Sequence, residues 1–154
     1  MLVKRLLLIA LTATSTLAWT PFSAFAQTNG AVSQQDVQQN KNMAQAALQV
    51  VLLVDQNKAD EVWNGASSVA KERETRDAFV SQITRDRQAL GALISRSMAT
   101  VSYLQSDGGK VPPGTYANAA FATRFANTAQ AVRELVSFHL DRDRVWRVSG
   151  YTVR

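Results

Sequence analysis

The hydrophobic periodicity of this chain changes once, at Gly91, and that change limits the folds available to it. Before Gly91, apolar residues recur at the three- and four-residue spacing of helices. After it, β-branched and aromatic residues alternate with polar ones, as in half-buried strands. Helices that precede strands, rather than alternating with them, are typical of an α+β domain. We therefore predict an α+β fold, with N-terminal helices packed on a curved antiparallel sheet.

Three segments before Gly91 have the pattern of helices. The first runs from about Asn42 to Asp55, with alanines and leucines on one face. The second is a short turn from Ala59 to Trp63, and the third runs to Leu90 from an N-cap at Thr75.

Four segments after Gly91 are predicted to be consecutive strands of a meander, because turn sequences separate them. They are Ile94–Leu104, Thr115–Ala126, Thr128–Leu140 and Arg144–Val153. In the third strand, the alternation places Glu134 among apolar residues and His139 on the polar side. In the last, Trp146 and Tyr151 fall on opposite sides, which predicts that both faces of this strand are covered by a second layer or a partner.

The N-terminus has the pattern of a secretory signal peptide. Lys4 and Arg5 precede an apolar stretch, and Ala24-Phe25-Ala26 is a typical cleavage sequence. A membrane-spanning helix needs about 20 apolar residues, which this stretch lacks, so we do not expect an integral membrane protein after cleavage. We predict a signal peptide over 1–26, a flexible leader over 27–41 that becomes helical near Asp36, and one domain over 42–154. The product would be periplasmic or secreted.

Composition excludes most recognisable enzyme chemistry. The 154 residues include no cysteine and a single histidine, His139, which excludes disulfides, thiol nucleophiles and two-histidine metal sites within one chain. The formal charge is +5, but removal of Lys4 and Arg5 with the leader reduces it to +3. The remaining basic residues are dispersed, so we do not expect nucleic acid as a partner. We assign no catalytic residue, metal or cofactor.

Glu134 is the most informative polar residue, because burial of a lone carboxylate is costly. One interpretation makes it an acid/base group with a raised pKa in a pocket. The other, which we favour, makes it the partner of Arg87, Arg96 or Arg124, or exposes it beyond a β-bulge.

The remaining candidates have ordinary structural interpretations. His139 has no visible orienting partner in the sequence, so we expect it to be solvated. The aromatic residues Trp63, Trp146 and Tyr151 fit a core better than a ligand cleft. Asp55 is interpreted as a loop or cap charge.

Two strings resemble the DUF4019 family of small exported bacterial proteins of unknown function. They are Arg87-Gln88-Ala89-Leu90-Gly91 followed by Arg96, and the closing Trp146–Val153; Phe121–Asn127 is similar to the same family's central hairpin. The resemblance implies an exported α+β domain with the shape of a cystatin-like or nuclear-transport-factor-like roll. It implies no activity, ligand or catalytic residue.

The favoured function is therefore a non-enzymatic binding or interaction module for an envelope protein or a small ligand. Its candidate binding residues are Glu134, Arg87, Arg96, Arg124, Trp63, Trp146 and Tyr151. The first alternative is a small hydrolase, isomerase or dehydratase with Glu134 or His139 as acid/base in a pocket between helix and sheet. The second is self-association as a homodimer through a sheet edge.

Overall fold

A computed structural model describes residues 33–154, so the predicted signal peptide and residues 27–32 of the predicted leader lie outside the described residues. The helices are α1 (Gln34–Asp55), α2 (Ala59–Asn64), α3 (Ser68–Arg73) and α4 (Arg76–Leu90). The strands are β1 (Leu93–Arg96), β2 (Thr100–Ser106), β3 (Gly114–Phe125), β4 (Val132–Leu140) and β5 (Trp146–Val153). This order confirms the α+β fold. No helix within 33–154 combines the length and apolar content needed to cross a membrane.

Helix α1 begins earlier than predicted, because a capping box defines its start. The backbone N–H of Asp36 donates to the Ser33 hydroxyl at 3.1 Å, and the Asp36 carboxylate accepts from the backbone N–H of Ser33 at 3.2 Å. These bonds satisfy exposed amides of the first turn. The helix therefore starts at Gln34, close to the onset expected near Asp36, so residues 34–41 of the predicted leader are helical.

The first predicted strand is two strands, so the sheet has five strands rather than four. Both β1 and β2 pair antiparallel with β3, and the sheet continues through β4 to β5. Arg96 lies opposite Thr123, and Thr100 lies opposite Ala120. Between these two pairs there are three residues on the β1–β2 edge but only two on β3. The extra residue forms a bulge, at which the backbone N–H of Ala122 donates to the Ser97 hydroxyl at 2.8 Å.

The sheet curls so that α1 packs against its inner face. Ala47 and Val51 of α1 join Ala119 and Val136 of the central strands in the core, all of them inaccessible to solvent. The curl brings the two sheet edges together. The ring centroids of Tyr103 on β2 and Trp146 on β5 consequently lie 6.0 Å apart. The likeness to a cystatin-like roll stays a prediction.

A bulge on β5 corrects the interpretation of the last strand. Ser137 lies opposite Gly150, but Phe138 lies opposite Val148, so Ser149 is an extra residue on β5. The bulge reverses the alternation, and Val148 and Tyr151 both face the core. The prediction that Trp146 and Tyr151 point to opposite faces is therefore wrong, and their placement requires no second layer.

Candidate functional site

Glu134 is at the centre of a buried ionic network. Its side chain is 0% exposed. Arg96 donates to it twice, from Nε to Oε2 at 2.7 Å and from Nη2 to Oε1 at 3.2 Å. The Thr123 hydroxyl donates to Oε2 and the Tyr151 hydroxyl to Oε1, each at 2.7 Å. Each carboxylate oxygen thus accepts two hydrogen bonds, which compensates the burial of the charge.

The network continues to Asp55, at the end of α1. Its Oδ2 accepts from Arg96 Nη1 at 2.8 Å, and its Oδ1 accepts from Arg96 Nη2 at 3.0 Å and Arg87 Nη2 at 2.7 Å. The Arg87 guanidinium lies over the Phe125 ring, 4.1 Å from its centroid. The positive charges of Arg87 and Arg96 balance the negative charges of Asp55 and Glu134. We name these four residues, together with Thr123 and Tyr151, the buried ionic network.

Asp55 and Thr123 are network residues that were not among the candidates, and the interpretation of Asp55 as a loop or cap charge is wrong. One signal was available. A carboxylate in the last turn of a helix faces the negative end of the helix dipole, so it needs a nearby cation. Arg87 and Arg96 supply that cation.

Two network residues, Arg96 and Tyr151, have pKa values above their ordinary values. Burial lowers the pKa of Arg96, but its hydrogen bonds to Asp55 and Glu134 outweigh burial and raise that pKa overall. Burial, together with the neighbouring charge of Glu134, raises the pKa of the Tyr151 hydroxyl. Arg96 and Tyr151 therefore remain protonated at neutral pH and act as hydrogen-bond donors to the two carboxylates.

The structure brings together four of the seven candidate binding residues and separates the other three. Arg124 is exposed on the outer face of β3. Trp63 is buried in the core, 5.4 Å from the ring of Phe79, as its structural interpretation expects. Trp146 packs on Tyr103 at the closing edges of the sheet.

An open apolar groove, which we name the α1 groove, lies between α1 and the bulged sheet edge, and its volume is about 590 Å³. It is lined by Asn40, Lys41, Ala44, Gln45, Leu48, Arg96, Ser97, Met98, Ala99, Val101 and Phe121. Ala44 and Leu48 belong to a second apolar stripe on α1, beside the buried one. Met98 stands at the bulge with 92% of its surface exposed. The groove abuts the network at Arg96.

His139 is buried, so the prediction of a solvated histidine is wrong. Its Nδ1 lies 2.7 Å from Asp141 Oδ1, and its ring packs 5.0 Å from that of Tyr116. Gly114 allows this packing, because a Cβ there would collide with His139 Nε2. The pair borders a polar cavity of about 670 Å³. Within 33–154, no three side chains of metal-binding type converge on one point.

The model of one protein family, described as a protein of unknown function (DUF4019), matches residues 46–151. The chain belongs to the DUF4019 family. The match confirms the resemblance seen in the sequence, and it spans the whole buried ionic network. Lys41 and Ala44 of the α1 groove lie before it. No curated protein and no solved structure matched the chain.

Proposed function

We propose that this DUF4019 domain is an exported, non-enzymatic binding module that holds a small apolar molecule in the α1 groove. The groove itself carries the proposal. Its volume is within the range of ligand pockets, and its lining combines apolar side chains with a few polar ones.

The network argues against catalysis by Glu134. A general acid or base must reach its substrate, whereas both oxygens of Glu134 are occupied by protein donors and its side chain is inaccessible. Glu134 also does not line the α1 groove. Arg96 is the one residue of the buried ionic network in the groove lining. We therefore assign it a structural role.

Export is tested with the full-length gene. The purified envelope fraction should contain a product whose intact mass corresponds to loss of residues 1–26, because Ala24-Phe25-Ala26 precedes the proposed cleavage point. A cytosolic product that retains these residues would contradict export. The purified product of this gene is the material for the binding experiments.

Binding is tested with Nile red, a neutral apolar dye whose fluorescence rises in apolar surroundings. We expect saturable binding, and Ala44→Phe should weaken it by placing a large side chain in the groove. Ala46→Phe is the matched control, because Ala46 is exposed on the same helix outside the groove lining. Absence of saturable binding, or equal binding by both variants, would contradict the proposal.

A second candidate function is acid/base catalysis by His139, favoured by its short contact with Asp141 beside the polar cavity. A carboxylate that orients an imidazole is a common catalytic arrangement. Hydrolysis of p-nitrophenyl acetate by the purified product should then fall in His139→Gln and persist in Asp143→Asn. Equal rates in all three proteins would reject this function.

The module is proposed as a monomer, because both sheet edges are interrupted. Bulges break the β1–β2 edge, and Ala66 forms a bridge with Val148 on the opposite edge. Interrupted edges disfavour pairing with a second sheet. Light scattering should give a monomeric mass, and a dimer at low concentration would contradict this part of the proposal.

A further inference from the structure

We infer that the α1 groove takes an amphiphile with a medium-length acyl chain and a carboxylate head group, bound with the head beside Lys41. The inference rests on the proposed function and adds the chemical class and orientation of the ligand. Three features carry it: the length of the apolar wall, the neutrality of one end of the groove and the positive charge of the other.

The apolar wall fits a chain lying along α1. Lys41 and Leu48 are seven residues apart on this helix, which corresponds to about 10 Å at the helical rise. Between them, Ala44 provides a small side chain at the wall, with Val101 also lining the groove. Met98 is exposed and flexible, so it can adapt to the occupant.

The Arg96 end of the groove offers little to an anion. Four of the five N–H groups of Arg96 already donate to Asp55 and Glu134. The two carboxylates neutralise the charges of Arg96 and Arg87. An anion placed beside the Arg96 guanidinium would therefore also be repelled by Asp55 and Glu134. The head group is therefore expected at the other end.

The Lys41 end has the opposite character. Among residues 33–154, no carboxylate lies within ion-pair distance of Lys41, and no acidic residue lines the groove. Asn40 and Gln45 contribute amide groups to the lining of the same groove. An ammonium and two amides match a carboxylate.

The test compares decanoate with decanol, which share a chain and differ in the charged head, as competitors of Nile red. At low salt we expect decanoate to displace the dye at a concentration up to about fivefold lower than decanol, the range for a partly exposed ion pair. The preference should shrink as salt is added. It should disappear in Lys41→Gln and persist in Lys41→Arg. Lys110→Gln, in an exposed loop outside the groove, is the control.

The outcomes separate the inference from the function on which it rests. If both compounds displace Nile red equally, or if Lys41→Gln keeps the preference for decanoate, the groove binds apolar molecules and the head-group inference is wrong. If Nile red binds but neither compound displaces it, the acyl class is wrong. If Nile red itself does not bind, the proposed function fails.

Discussion

Two arginine–carboxylate pairs in this domain have the same chemistry and different surroundings. Arg96 contacts Glu134 through Nε and Nη2, and Arg147 contacts Asp143 through both terminal nitrogens, at 2.8 and 2.7 Å. The Arg96 and Glu134 side chains are 8% and 0% exposed, whereas those of Arg147 and Asp143 are 33% and 53% exposed. Contact geometry alone would rank the pairs as equals.

The difference in burial determines what each pair does. In the buried ionic network, removal of one partner leaves a charge that water cannot reach. At the surface, water and salt solvate whichever charge remains. The network therefore holds α1, β1 and β4 in one arrangement, while the surface pair adds little to the free energy of unfolding.

The largest effect is expected for Glu134→Leu. It leaves Arg96 partly uncompensated and removes the acceptor of Thr123 and Tyr151, which should lower the free energy of unfolding by about 3 to 5 kcal/mol. Urea denaturation at pH 7 measures it. The control is the double variant Arg96→Met with Glu134→Leu, which should recover part of the loss because no buried charge is left unpaired. If Glu134→Leu lowers the free energy of unfolding by less than about 1 kcal/mol, the Arg96–Glu134 pair contributes no more than a surface pair.

Tyr151→Phe removes one hydroxyl from the network and should cost less. The hydroxyl donates to a charged acceptor at 2.7 Å, so we expect a loss of about 1.5 to 3 kcal/mol in the same denaturation experiment. Tyr103→Phe is the matched control, because Tyr103 is 42% exposed. Equal losses in the two variants would show that the hydrogen bond to Glu134 contributes nothing specific.

The network should also be sensitive to alkali through Tyr151. Its pKa in the folded protein lies above the ordinary value of 10.0, because of burial and the neighbouring Glu134. Its contribution to stability is then fully present below about pH 10 and is lost as the pH rises toward the folded pKa. Denaturation from pH 9 to pH 11 should show a steeper loss in the wild type than in Tyr151→Phe. Parallel curves would contradict the shift.

The smallest effect is expected at the surface pair. The hydrogen bond from Arg147 lowers the pKa of Asp143 from 3.8 to about 2. The contribution of this carboxylate is present above about pH 4 and is lost as the pH falls toward 2. NMR titration should show the lowered pKa, which Arg147→Gln should return toward 3.8. Because water screens this exposed pair, Asp143→Asn should lower the free energy of unfolding at pH 7 by much less than Glu134→Leu does. A loss as large as that of Glu134→Leu would contradict the contrast between the two pairs.

The alternation of residues predicted that Glu134 lies among apolar residues. Pairing with an arginine was one interpretation of that position, and it left open which arginine. The bulge between Arg96 and Thr100 allows Arg96 and Val101 to face the same side of the sheet, although strict alternation would separate them. A bulge depends on pairing with the neighbouring strand, so the sequence of one strand does not reveal it.

The α1 groove was not predicted, since it depends on the spacing between a helix and a sheet edge. One signal was present in α1, where Leu48 and Leu52 fall outside the buried stripe and are 40% and 38% exposed. Two apolar stripes on one helix indicate a second apolar contact. His139 was missed for a related reason: Gly114, which makes room for its ring, is distant in sequence.

The central claim is that the α1 groove binds a ligand while the adjacent ionic network holds the fold. Amide chemical-shift mapping of the purified product during a decanoate titration tests it most directly. We expect saturable shifts confined to Asn40–Leu48 and Ser97–Val101, with the amides around Glu134 nearly unchanged. Shifts centred on His139 and Asp141, or no saturable shifts at all, would contradict the claim.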